Sequence, residues 1–173
     1  VDATDPDVLA LSEVDAGNAL ALATRFDRQW AYRGGQAVLW NRRFDAEKVH
    51  DLYLPAIPLQ PFERRGLLRV DGRCDGRELS IFATRFAPDR ASVRDLRFTR
   101  SVIRAVASAR IMLFVTTPPV GGSAAFRDLD LHAERDGGAP DAMLAVRGFT
   151  IQSCTATTAE NGIGTRLIAR LIT

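Results

Sequence analysis

Apolar positions along this chain switch repeatedly between two periods. Residues 7–14 (DVLALSEV) form a short apolar run behind Pro6 and predict a buried strand. In residues 18–26, Leu20, Leu22, Ala23 and Phe26 recur at helical spacing. Residues 29–32 and 36–41 predict two strands around Gly34-Gly35, residues 49–54 alternate as another, and 55–61 are a proline-rich loop. Residues 66–71 and 78–86 predict a hairpin, with Asp75-Gly76 as its tight turn. A long helix is expected over 90–109. A strand over 111–116 is stopped by Pro118-Pro119, and a shorter helix is expected over 124–131. Residues 141–146, 149–155 and 166–172 predict the last strands. Strands alternate with helices and hairpins, which is the pattern of an α/β sandwich with mixed sheets.

Composition adds bounds rather than a function. The chain has 173 residues, 46% apolar and 25% charged, enough for one domain with a sizeable core, and no repeat or linker divides it. We therefore expect a single domain over 1–173. The net charge of +2 gives no support to nucleic-acid binding. Lys48 is the only lysine; a GC-rich coding bias accounts for the arginine excess more simply than selection for phosphate contacts. Cys74 and Cys154 make neither a disulfide framework nor a metal-ligand spacing. No apolar stretch approaches the roughly 20 residues of a membrane span, so no membrane partner is expected. The acidic start carries no apolar leader. The compartment expected is therefore the cytoplasm. The chain does not begin with Met and reads as a fragment or a processed form.

Six segments, in order, are similar to motifs of the endonuclease/exonuclease/phosphatase superfamily. DPDVLALSEVD resembles its Asp-Val-Leu-Ala-Leu-Gln-Glu-Val, and GQAVLWNRRF its Gly-Asn-Ala-Leu-Leu-Ser-Arg-Phe. RGLLRVDGRCDGRELSIFATRF resembles the hairpin ending in Ala-Thr-His-Leu, and IMLFVTTPP stands where relatives read Leu-Leu-Gly-Asp-Phe-Asn-Thr-Pro-Pro. PDAMLAVRGF looks like the Ile-Asp-His-Ile-Phe segment, and GIGTRLIARL like Ser-Asp-His-Arg-Pro-Leu-Ile-Ala-Arg-Leu. The resemblance implies a deoxyribonuclease I-like α/β sandwich: two packed mixed sheets flanked by helices. The family's N-terminal strand, which carries a metal-site Asn, is lacking; the chain is truncated there or the fold closes without it.

The family hydrolyses phosphoesters with a divalent metal, usually Mg²⁺, and an activated water. By resemblance, Glu13 stands at the metal-binding Glu and Asp141 at the Asp that supports the active site. Arg85 replaces the His of Thr-His-Leu; it cannot accept a proton, though it can bind an anionic oxygen. Val115 and Thr117 are read as replacing the water-activating Asp and the Asn, and Phe114 the preceding Gly. Gly162, Ile163 and Gly164 replace Ser-Asp-His, removing a carboxylate and the final histidine; Glu160 lies just upstream. His50 and His132, the latter expected after an exposed helix, fall in no family motif.

Helix 90–109 carries Arg90, Arg94, Arg97, Arg100 and Arg104 within about a third of its circumference. Phe98, Val102, Ile103 and Val106 lie opposite, and no acidic partner is evident among the arginines. Arg94, Arg97 and Arg104 are thus phosphate-binding candidates beside the plainer reading of a solvated face.

The expectation is a catalytically inactive domain of this fold, retained for binding or assembly, with no cofactor, or Mg²⁺ if the ancestral site is kept. Two alternatives stand beside it: a metal-dependent phosphoesterase or nuclease using Glu13, Asp141 and Glu160, and a structural subunit whose protein partner covers the old cleft. A phosphate-containing ligand or nucleic acid remains a partner class without support from net charge.

Overall fold

The computed structural model describes residues 7–56, 65–87, 92–108, 110–117, 122–135, 142–158 and 165–172. Eleven strands among them form two sheets. The first sheet contains β1 (Val8–Ser12), β2 (Gln29–Arg33), β3 (Gln36–Trp40), β10 (Thr150–Thr158) and β11 (Thr165–Ile172), in the order β10-β11-β1-β3-β2, all antiparallel. The second contains β4 (Phe44–Tyr53), β5 (Gly66–Cys74), β6 (Arg77–Arg85), β7 (Arg110–Thr116), β8 (His132–Arg135) and β9 (Ala142–Arg147), in the order β4-β5-β6-β7-β9-β8. Its one parallel pair is β6–β7. That pairing needs a crossover, which helix α2 (Ser92–Arg104) provides. Helix α1 (Ala16–Arg25) is started by Asp15, whose side chain accepts the Asn18 amide at 2.8 Å.

Three apolar layers follow from strand alternation. Val38, Trp40, Val70, Ile81, Phe114 and Leu144 fill the space between the sheets. Phe82, Phe86, Ile103, Leu113, Val115 and Phe126 pack beneath α2 on the outer face of the second sheet. Leu9, Leu11, Ala37 and Leu39 meet Ala19 and Ala23 of α1 on the outer face of the first. Burial of each large side chain contributes about 1.5–3 kcal/mol. β1 and β3 are buried at every position, since both faces of their sheet are covered there. β1 is paired on both edges, with β11 and β3, so the sheet is continuous through it.

Gly76 and Gly66 are both demanded by geometry. Asp75 and Gly76 turn the β5–β6 hairpin with φ of 51° and 74°, the left-handed pair a two-residue turn requires. A Cβ on Gly66 would lie 2.6 Å from the Arg33 carbonyl oxygen, so β2 and β5 touch there only because Gly66 has none.

The expected sandwich is the observed one, with the second sheet mixed and the first antiparallel throughout its described strands. The expected helix over 90–109 is helical over Ser92–Arg104, with 88–91 and 109 outside the described residues. Residues Gly122–Leu129 form a 3₁₀ helix, and His132 opens β8 instead of trailing an exposed helix. That four-residue strand pairs antiparallel with the next strand of the chain, β9, from His132–Val146 to Arg135–Met143.

Candidate functional site

The ends of several strands converge at one end of the sandwich. In the first sheet the register runs from Thr158 to Thr165, Ser12, Gln36 and Arg33. In the second, Tyr53 pairs Gly66, and Arg85 pairs Thr116, which pairs Ala142. These two rows face each other as the lips of a cleft.

Side chains lace the lips together. Thr116 Oγ1 lies 2.8 Å from Ser12 Oγ, and Gln36 Nε2 donates to the same Ser12 oxygen at 3.0 Å. Arg85 Nη1 lies 2.6 Å from Glu13 Oε1, and both side chains stay about 40% exposed. Arg33 donates to Tyr53 Oη at 3.4 Å, lies over its ring and pairs with Asp51. Beneath the lips, Ala10, Ser12, Gln36, Ala83, Phe114 and Thr116 line a cavity of about 10 Å³. It has room for roughly one water and is far below the size of a ligand pocket.

Glu13 and Thr117, just past the ends of β1 and β7, have φ of 60° and 53°. Left-handed backbone costs an L-residue about 1–2 kcal/mol, and such strain gathers where the chain must aim particular groups. Ser12 and Gln36 were not singled out in the sequence. They stand where the quoted motifs usually read Gln and Asn, and that substitution was the available signal.

The register of β7 differs from the expected one. Val115 is fully buried in the layer beneath α2, facing away from the cleft. Phe114 packs between the sheets, and Thr116 reaches Ser12. The cleft-facing pair is therefore Phe114 and Thr116, one residue earlier than Val115 and Thr117. The reason is the two-residue alternation of a strand, which forbids neighbours from sharing a face. The motif then aligns without a gap, and Thr117-Pro118-Pro119 coincide with its Thr-Pro-Pro. Neither Phe114 nor Thr116 supplies a carboxylate.

Asp141, Glu160, Gly162, Ile163 and Gly164 lie outside the described residues. Among the described residues, no three His, Cys, Asp or Glu side chains group to hold a metal ion. The described lips also fit a hard cation poorly. Such an ion takes six or more oxygens, whereas Glu13 faces a guanidinium and the Ser12 and Thr116 hydroxyls are bonded to each other, with Gln36 Nε2 donating to Ser12.

The arginine face of α2 is partly neutralised, contrary to expectation. Asp128, from the 3₁₀ helix, pairs with both Arg100 and Arg104, and Arg94 donates to the Ala56 carbonyl at 3.2 Å. Asp95, on the same helix, is buried against Arg65 and accepts the Ala87 amide at 2.7 Å. Arg97 is exposed, and Arg90 lies outside the described residues. Of the remaining titratable groups, His50 Nε2 lies 2.7 Å from Asp71 on the second sheet. Burial, with help from Asp75, pushes the Cys74 thiol up, away from a nucleophilic thiolate.

No family model matches the chain, and no curated protein matches it. Solved structures do. The chain is similar to an endonuclease/exonuclease/phosphatase family protein from Bacteroides thetaiotaomicron, at 11% identity and a TM-score of 0.71, covering 95% of this chain and 83% of that one. A humanized D. rerio TDP2 matches at 12% identity and a TM-score of 0.70, over 97% and 86%. The human nocturnin catalytic domain, solved with bound sulfate, matches at 12% and 0.68, over 96% and 82%. At such identities the likeness shows the fold: this is a deoxyribonuclease I-like α/β sandwich. No helix among the described residues is long and apolar enough to cross a membrane.

Proposed function

We propose that this domain keeps the deoxyribonuclease I-like sandwich for binding or assembly and does not hydrolyse phosphoesters. The observation that carries the reading is at the end of β7, where the two cleft-facing residues are Phe114 and Thr116. Hydrolysis needs a group that takes a proton from the attacking water and others that offset charge on the phosphoryl oxygens. Phe114 offers no polar atom, and Thr116 spends its hydroxyl on Ser12. Arg85 can hold an anionic oxygen, but ground-state binding alone does not lower a barrier. The partner this reading expects is a protein, or a phosphate-containing ligand, seated over the laced lips. The arginine face of α2 is the weaker surface, because Asp128 takes up two of its charges.

The test is hydrolysis of plasmid DNA and of a generic phosphodiester with Mg²⁺ or Mn²⁺. No turnover above the level of a Glu13→Ala control is expected. Metal-dependent turnover that survives purification and vanishes in Glu13→Ala would establish instead a working phosphoesterase built on Glu13, Asp141 and Glu160.

A further inference from the structure

We infer that Arg85 is a resident counter-cation: it holds, at Glu13, the place a divalent ion would otherwise take, so this cleft excludes metal ions through its own sequence. The inference rests on the non-catalytic reading above and states how the cleft stays electrostatically balanced without a metal.

Glu13 leaves the end of β1 in a left-handed conformation and meets Arg85, at the end of β6, at 2.6 Å. The pair thus joins the two sheets at the point where their strand ends converge. The two hydroxyl oxygens nearest along the strands cannot recruit an ion without disturbing existing bonds, since Ser12 and Thr116 bond to each other and Gln36 Nε2 donates to Ser12. The Arg85 guanidinium presents only N–H donors, so it balances a carboxylate but cannot ligate a water oxygen and acidify it as a metal does. Unlike a bound ion, it does not dissociate and no chelator removes it.

The experiment is calorimetric titration with Mn²⁺ of four proteins: wild type, Arg85→Gln, Arg85→Lys, and the double variant Arg85→Gln/Glu13→Gln. Thermal unfolding of each, with and without Mn²⁺, is the second readout. Both side chains are about 40% exposed, so all four should fold. Arg85→Gln is expected to gain Mn²⁺ affinity by about tenfold or more, with a raised midpoint in Mn²⁺. Arg85→Lys should behave as wild type, and the double variant should lose the gain. The counter-cation is overturned if Arg85→Gln gains nothing, if Arg85→Lys gains as much, or if the double variant keeps the binding. Those results leave the non-catalytic reading standing; that reading falls only to hydrolysis by the wild type.

Discussion

Ser12 and Thr116 meet hydroxyl to hydroxyl at 2.8 Å, joining the end of β1 to the end of β7 across the sandwich. This contact fixes which way β7 faces. With Thr116 turned to the first sheet, Val115 must turn to α2, and no carboxylate at position 115 could reach the cleft.

The facing of β7 can be tested by stability. Val115→Asp places an unpaired charge at a site with no exposure and should cost about 4 kcal/mol or more. Thr116→Asn, at the half-buried lip, loses or replaces one hydrogen bond and should cost about 0.5–1.5 kcal/mol. Urea unfolding of both variants measures the difference. Equal tolerance would mean that Val115 faces the cleft after all.

The buried pair Arg65–Asp95 should be the most sensitive polar contact of α2. The side chains are 6% and 1% exposed, and Asp95 also accepts the Ala87 amide. Asp95→Asn strands a buried guanidinium and should cost about 3–5 kcal/mol. Asp128→Asn, which breaks two solvent-screened pairs, should cost much less. Chemical denaturation of the two variants side by side checks the ranking, and a reversed order would contradict it.

Acid stability should depend on Asp71. Partial burial alone would raise its carboxyl, but the Arg69 fork, Ser80 and His50 outweigh that and hold it below its ordinary value. A carboxyl depressed in the fold contributes stability that is fully present above the unfolded carboxylate range, near pH 4. That contribution is lost as pH falls through the lower folded value. Asp71→Asn should therefore be less stable than wild type near neutral pH, with the gap narrowing below about pH 4. Denaturation midpoints from pH 7 to pH 2 test this; a gap that widens toward acid would refute it.

Much of the fold was legible along the chain, because each strand carries its own signature. The apolar runs at 7–14 and 111–116, the Asp75-Gly76 turn and the described parts of the ordered motifs correspond to observed elements. Local periodicity also identified the apolar side of α2, where Ile103 is buried and Phe98 and Val102 pack against the core. What periodicity could not supply was the absolute facing of a continuously apolar strand. In β7 the residues from Ile111 to Val115 are all apolar and all buried, so their own pattern does not mark the outer face. His132 does follow a helical turn, Gly122–Leu129, but it also opens β8, a strand of four residues too short to carry a periodic signature.

The sequence by itself determined the order of elements, the sandwich architecture, and the absence of an acid or histidine from positions 85 and 114–117. These are properties of residue identity and short-range spacing. Only the tertiary structure decided which side chains meet. It set Arg85 against Glu13 and turned Thr116, not Val115, to the cleft. It also supplied Asp128 to Arg100 and Arg104, and sank Asp95 against Arg65. Ser12 and Thr116 stand 104 residues apart in the chain. Contacts of that separation follow from sheet order, register and the crossover through α2, which are set by the packing of the whole sandwich and have no local signature.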